Sequence, residues 1–279
     1  MKKLLISLAT AALTVALVCS FASCSTGTAE DAIVVGASST PHAEILGIIK
    51  EDVEAAGYKL EIKVFEDYVT PNTALEEGSL DANYFQHTPY LNTFNADYKT
   101  HLVSVGKIHY EPFGVYGKNV TKEDFASTTT GRTILVPNDG SNLTRALFVL
   151  QDNGYIKLRE GATPHDSLTV NDIADLRGNT VNAVEAATVS LHLAESADGT
   201  IAVINGNYAL AANLDVNNAL AVEKADGDAA QLYANIIAVK EGSEESEKTK
   251  VLLAALKTQK VIDYITSTYN GAVLPVFTV

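Results

Sequence analysis

Tryptophan is absent from the 279-residue chain, methionine occurs once, and cysteine occurs twice, at Cys19 and Cys24. Two cysteines can build neither a disulfide framework nor a four-cysteine zinc site. Basic side chains are also scarce, 20 against 34 acidic, for a formal net charge of −14. That balance argues against nucleic acid as a partner, because non-specific binding depends on Lys and Arg displacing counterions. Charged residues make up only 19% of the chain and hydrophobic ones 47%. There is ample apolar surface for a core, so the chain is not disordered. The length allows one large domain or two modest ones. No repeat with a fixed period of about 20–50 residues is present, and there is no long low-complexity linker.

The only long apolar run lies at the N-terminus. Lys2 and Lys3 precede an apolar stretch over 4–18 that is interrupted by Ser7, Thr10 and Thr14. It falls short of the about 20 residues a membrane span needs and fits a secretory signal peptide over 1–23. Phe21-Ala22-Ser23-Cys24 resembles a bacterial lipobox, with Cys24 as the acylated residue and Phe21 where the usual pattern has Leu. Cys19 follows Val18, which is not small, and is the poorer candidate. Plain secretion with Cys24 as a spectator is the alternative. Removal of Lys2 and Lys3 takes the net charge from −14 to −16. It also leaves a chain without methionine, with one cysteine at its first position and no possible internal disulfide. Residues 24–31 read as the acylated cysteine and a short polar tether.

The body alternates strands and helices. Residues 32–37 are a short β-branched run and read as a buried strand. Residues 41–56 place Ile45, Ile49, Val53 and Ala56 on one helical face, with Gly57 where a C-cap belongs. Leu60, Ile62 and Val64 alternate along a strand over 59–66. A short helix over 73–77 ends at Gly78, and a strand over 79–85 follows. This β-α-β-α-β order is that of a parallel sheet covered by helices. A second such run starts near 113, with strands over 133–136, 181–184 and 201–204 and an apolar helix over 143–151. The tail adds a strand over 235–239 and helices over 249–257 and 261–268. The expectation is two α/β lobes, 32–112 plus 231–279 and 113–230, with the tail rejoining the first lobe. Ligand is then expected between the lobes or at the carboxyl ends of strands.

Three polar clusters stand at such ends. Tyr84-Phe85-Gln86-His87-Thr88-Pro89-Tyr90 combines rings and an imidazole, which suits a ligand with an apolar tail and a polar head. It equally suits a loop whose aromatics pack into the core. Pro137-Asn138-Asp139-Gly140-Ser141-Asn142-Leu143-Thr144-Arg145 is a turn running into a helix N-terminus, where free N–H groups attract a carboxylate. Arg145, read as lying in the first turn against the helix dipole, fits bidentate carboxylate capture. Simple capping by Ser141 or Asn142, with Arg145 as a salt-bridge partner, explains the same residues. Ile204-Asn205-Gly206-Asn207-Tyr208 offers amides that match both an ammonium and a carboxylate, or again only caps. Tyr68 and Asn235 are weaker instances.

Taken together, Asp81-Ala82-Asn83-Tyr84-Phe85-Gln86-His87-Thr88-Pro89-Tyr90-Leu91, Val136-Pro137-Asn138-Asp139 with Asn142 and Arg145-Ala146-Leu147, and Ala202-Val203-Ile204-Asn205 with Asn207-Tyr208-Ala209 resemble the NlpA family of lipoproteins. Within it they are similar to the MetQ-type, methionine-binding branch that serves ABC importers. The resemblance runs from about Ile33 to the last helix. It implies a two-lobed periplasmic-binding-protein fold of the second type, an extracytoplasmic location with a lipid anchor on a membrane, no enzymatic activity and no cofactor. It implies an ABC permease with its ATPase as partner. It further implies that Arg145 and Asn142 meet a ligand carboxylate, that Asn205 and Asn235 hold ammonium and carboxylate, and that Tyr68, Phe85, His87 and Tyr90 wall the side-chain pocket. Gly140 stands where many relatives carry Pro, Ala or Ser, and Gly206 where they usually carry Thr.

The ligand class follows in part from chemistry. A free amino acid needs a cation or amides for its carboxylate, acceptors for its ammonium and a shaped apolar slot. Methionine's thioether gains from aromatic contact. Leucine or norleucine fits a similar slot within about 1–3 kcal/mol, so methionine rests on the resemblance, with another amino acid or a methionine dipeptide as the alternative. A metal-importer protein is disfavoured because no two of the six histidines form a close ligand pair in sequence, and no metal site is expected. An enzyme is disfavoured by the lack of a Gly-x-Ser-x-Gly elbow or phosphate loop.

Overall fold

The computed structural model describes residues 31–224 and 227–279. The expected signal peptide over 1–23, Cys24 and all of the tether but Asp31 lie outside them. Among the described residues no helix is long and apolar enough to cross a membrane.

In chain order the strands are β1 (Ala32–Ala37), β2 (Lys59–Val64), β3 (Ala82–His87), β4 (Leu102–Tyr110), β5 (Gly114–Gly117), β6 (Thr133–Pro137), β7 (Lys157–Leu158), β8 (Ile173–Asp175), β9 (Thr180–Val184), β10 (Ile201–Ile204), β11 (Ala221–Val222), β12 (Asn235–Lys240) and β13 (Leu274–Pro275). One sheet has the order β13-β4-β12-β3-β1-β2, a second β11-β5-β10-β6-β9, and β7 pairs with β8 apart from both. In the first sheet β1 is parallel to β2 and β3, and β12 is antiparallel to both β3 and β4. In the second, β6 is parallel to β9 and β10, and β5 is antiparallel to β10 and β11. The two sheets therefore share one plan: a parallel set with a reversed strand inserted next to the third strand, to which the first sheet adds antiparallel β13 at its edge. This is the two-lobed α/β plan of periplasmic binding proteins of the second type. The symmetry is architectural and has no counterpart as a sequence repeat.

The local chemistry explains most elements. Ile33, Val35, Ile45, Ile49 and Val53 are all buried in the core of the first sheet together with Ile237 and Val239 of β12. Ile134, Val136, Leu147, Leu150 and Val203 form the core of the second sheet. Gly57 has φ +92°, a conformation that suits the residue after a helix.

Several segments depart from the sequence reading. The helix expected over 41–56 is broken into a π-type turn at Ser39–Ala43 and helices Glu44–Ile48 and Lys50–Ala55, with Ile49 at φ −94°, ψ 2° between them. Its expected apolar stripe stops at Val53, because Ala56 is exposed. The strand expected over 79–85 begins at Ala82 and runs on to His87, because Asn235 and Ile236 pair with His87 and Gln86. Helix Thr88–Tyr98 follows at once, with Pro89 in its first turn, where the missing N–H is no loss. That helix and β4 have no counterpart in the sequence reading, since the 91–112 stretch carries no clear period. Arg145 is not in the first turn of its helix. The helix spans Gly140–Asp152 with Asp139 as N-cap, so Arg145 is the sixth residue and the helix-dipole argument for its unusual position does not hold.

Ile237 is fully buried between β3 and β4. Ile237→Ala is expected to lower unfolding free energy by about 2–5 kcal/mol, the range for such truncations. A urea denaturation curve followed by circular dichroism measures this.

Candidate functional site

The carboxyl ends of β3, β4, β6 and β10 and the start of β12 face one cleft. His87 closes β3, Asn235 opens β12 opposite it, and His109 of β4 lies on the other side of Asn235 in register. Asn205 directly follows β10 and N-caps the short helix Gly206–Ala211. A small cavity of about 20 Å³ lies here, lined by Tyr68, Phe85, His87, Tyr90, Asn142, Arg145, Asn205 and Asn235, together with Gln86, Glu111, Phe113, Gly206 and Asn207. All eight residues singled out from sequence line it. Glu111 and Phe113 were missed because they follow β4, a strand without a sequence signal. Pro112 was the one local mark of a strand end there.

One end of the cavity is aromatic. The Tyr68 ring lies 5.7 Å from both the Phe85 and Tyr90 rings and 4.9 Å from that of Tyr208. The Tyr90 hydroxyl donates to the Tyr68 carbonyl at 2.9 Å, which fixes the wall. These are tilted and edge-on contacts of the kind aromatic side chains favour.

The other end is polar. His87 N-caps helix Thr88–Tyr98, its Nδ1 accepting from the Tyr90 N–H at 3.2 Å. Burial, and then the nearby Arg145, push its pKa down to about 4, so the ring is neutral near pH 7. Nδ1 is thus the acceptor and Nε2–H donates to Asn142 Oδ1 at 3.0 Å. Asn142 Nδ2 in turn donates to the Asp139 carboxylate at 3.0 and 3.1 Å. The chain Asp139–Asn142–His87 crosses the cleft from one sheet to the other. Tyr68 Oη–Asn207 Oδ1 at 2.6 Å and Tyr208 Oη–Glu66 O at 3.1 Å cross it too.

Arg145 is 3% exposed and lies over the Phe113 ring at 3.9 Å and the Tyr233 ring at 4.5 Å. Its bidentate partner in this structure is Glu223, with Nε at 2.9 and 3.0 Å from the two carboxylate oxygens. Its Nη2 also donates to the Glu111 carbonyl at 2.7 Å. Among the described residues Nη1 is the guanidinium nitrogen without a hydrogen-bond partner. Burial raises the Glu223 pKa, but the Arg145 charge and hydrogen bonds from Arg145, Tyr110 and the Phe113 N–H outweigh it and hold it below the usual range.

Behind Asn235 lies a buried group that sequence spacing did not reveal. His42 Nε2 is 2.9 Å from Asn235 Oδ1 and 3.4 Å from Glu111 Oε1, and His109 Nε2 is 2.7 Å from the same Glu111 oxygen. The Tyr84 hydroxyl meets His109 Nδ1. The donor atoms of His42, His109 and Glu111 fall within 4.8 Å of one another, so tertiary structure assembles a His/His/Glu set that the sequence scatters. The 2.7 Å contact is a hydrogen bond, well inside the roughly 3.3 Å edge of a tetrahedral site with 2.0–2.1 Å metal–ligand bonds. The set is built as a hydrogen-bonded cluster.

The Arg145–Glu223 pair supports a stability test. Glu223→Gln leaves Arg145 buried without its counter-charge and is expected to cost about 3–5 kcal/mol in urea unfolding at pH 7. Because the Glu223 pKa is depressed on folding, its stabilisation is present above the ordinary glutamate pKa. It is lost as pH falls through the folded value. The wild-type protein should therefore lose stability more steeply below about pH 4.3 than the Glu223→Gln variant.

Comparison with known proteins agrees with this geometry. The family described as NlpA lipoprotein matches residues 33–277. The methionine-binding lipoprotein MetQ of Bacillus subtilis (strain 168) is 39% identical over 248 residues, covering 88% of each chain. A nutrient-binding protein from Burkholderia cenocepacia, solved bound to methionine, superposes with a TM-score of 0.80 at 36% identity, over 88% of this chain and all of that one. An ABC transporter periplasmic substrate-binding protein from Coxiella burnetii superposes at 0.78 with 33% identity, over 88% and 100%. The chain thus belongs to the NlpA lipoprotein family, as a two-lobed substrate-binding lipoprotein that works outside the cytoplasm.

Proposed function

We propose that this protein captures free methionine between its two lobes and delivers it to an ABC permease whose partner ATPase drives import. The observation that carries the reading is a cavity whose walls come from both sheets, aromatic at one end and rich in amides and charge at the other. Tyr68, Phe85 and Tyr90 would enclose the thioether, gaining from sulfur–aromatic contact. Arg145 through Nη1, with Asn142, would meet the carboxylate, and Asn205 and Asn235 would complete the head-group site. His87 would position Asn142 from the opposite lobe. The names of the relatives support methionine as the ligand class. Another small amino acid or a methionine-containing dipeptide is the competing ligand.

The lobes in this reading are 32–112 plus 231–279 and 113–230, joined by two crossovers. Ligand biases a hinge between open and closed arrangements, and the closed form docks on the permease. Binding and release involve no covalent chemistry, so the protein is not an enzyme and uses no cofactor. Residues 1–23 are the signal peptide, and acylated Cys24 with the 24–31 tether holds the body to a membrane. One acyl chain alone binds a membrane weakly, and the diacylglycerol expected on Cys24 supplies the additional chains.

Calorimetry of ligand-stripped protein against L-methionine, D-methionine, leucine and a methionine dipeptide tests the ligand. Micromolar or tighter binding of methionine is expected, and no response to it overturns the reading. Asn205→Ala should weaken methionine by about 1–3 kcal/mol, the cost of leaving a buried polar group unmet. Cys24→Ser should move the protein from the membrane fraction to the soluble extracytoplasmic fraction. Unchanged membrane retention would exclude Cys24 as the anchor.

A further inference from the structure

Two charged side chains line the cavity, Arg145 and Glu111, and they differ in how their charge is met. Arg145 has the Glu223 carboxylate against it. Glu111 is 4% exposed, and the groups that touch its carboxylate are neutral. His109 Nε2 and His42 Nε2 face Oε1 at 2.7 and 3.4 Å. Burial brings their pKa values down to about 3 and about 4. The Asn207 backbone N–H favours the ionised form from the start of the Gly206–Ala211 helix. A buried carboxylate with no cation against it is costly.

Glu111 sits where it does because of Gly206. A Cβ at position 206 would lie 2.6 Å from Glu111 Cβ and 2.7 Å from Oε2, so any larger residue would push the carboxylate out of its place. Gly206 therefore makes room for an acid on the cavity wall. Immediately before Gly206 stands Asn205, 5% exposed and lining the same cavity, whose Oδ1 has no donor among the described residues. An anion and an unmatched acceptor thus share one wall, and both call for a cationic donor. An ammonium carries three N–H groups and one positive charge.

We propose that Glu111 is the counter-charge for the ligand's ammonium and that Gly206 is the specificity-determining residue that admits it. This rests on the amino-acid reading of the site and deepens it, since it makes the charged ammonium a requirement. The carboxylate must be ionised to act. Burial raises its pKa to about 7, against the opposing pull of His42 and Arg145. The groups that face it are His42 before the first helix, Tyr84 through His109 from β3, His109 on β4, Arg145 on the Gly140–Asp152 helix, the Gly206–Ala211 helix N–H, and Tyr68. Asn235 of β12 is neutral, and with both histidines neutral above about pH 5 Glu111 is the group of this set that titrates near pH 7. Bound ammonium favours the ionised form, so binding expels a proton and affinity falls as pH drops below about 7.

The test titrates wild-type protein, Glu111→Gln and Gly206→Ala by calorimetry at pH 7.5 with L-methionine and with 4-(methylthio)butanoate, which lacks the ammonium. Glu111→Gln is expected to weaken methionine at least about 30-fold while changing the desamino acid less than threefold. Gly206→Ala, which displaces the acid, should weaken methionine in the same direction. Wild-type affinity for methionine should fall about 25-fold from pH 7.5 to 5.5, and the Glu111→Gln profile should be flat. Proton release by the wild-type protein, from calorimetry at pH 6.5 in two buffers of different ionisation enthalpy, reads the same coupling without any substitution. Equal methionine affinity in wild type and Glu111→Gln, or binding without proton release, overturns the assignment and leaves the methionine reading standing. Wild-type protein that binds neither compound overturns the methionine reading, and the Glu111 assignment with it.

Discussion

Each sheet of this protein is completed by a strand that comes from the chain's passage between lobes. β5 enters the second sheet directly after β4 leaves the first, and β12 returns to the first sheet after β11. Both are antiparallel insertions beside the third strand of their sheet. That constraint draws the carboxyl ends of the parallel strands toward one another, and ligand sites of α/β sheets form at such ends. The hydrogen bonds that cross the cleft then have short distances to span. His87–Asn142 and Tyr68–Asn207 join residues more than fifty positions apart in the chain.

Within the cleft, electrostatics is arranged by burial. Arg145 and Glu223 are both desolvated and satisfy each other, so the guanidinium is held on the Phe113 and Tyr233 rings in a single pose. Glu111 is desolvated with neutral imidazoles against it. The two acids therefore behave oppositely, one held below its ordinary pKa and one pushed above it. Environments that push like groups apart in this way mark functional positions. The Asp139–Asn142–His87 chain adds rigidity without net charge, since each member's orientation is set by the next.

Much of the fold was legible because the parallel strands are short β-branched runs bounded by turns. Ala32–Ala37, Thr133–Pro137 and Ile201–Ile204 needed only their own residues to be recognised. β4 was not legible, because its burial alternates weakly and it is held by β12 and β13 from the far end of the chain. The extension of β3 to His87 has the same cause, a pairing with Asn235. The site residues Phe85, His87, Asn142 and Asn205 were legible because they sit at strand ends with distinctive neighbours.

The sequence by itself determined the α/β alternation, the acidic charge, the polar clusters at strand ends and the family they resemble. Those depend on local period and on residues a few positions apart. Only the tertiary structure decided that all eight predicted residues meet in one cavity, that Arg145 already has Glu223 as its partner, and that His42, His109 and Glu111 form one buried group. Desolvation and charge pairing depend on neighbours brought together from distant parts of the chain. Local composition carries no record of them until the sheets are closed by β5 and β12.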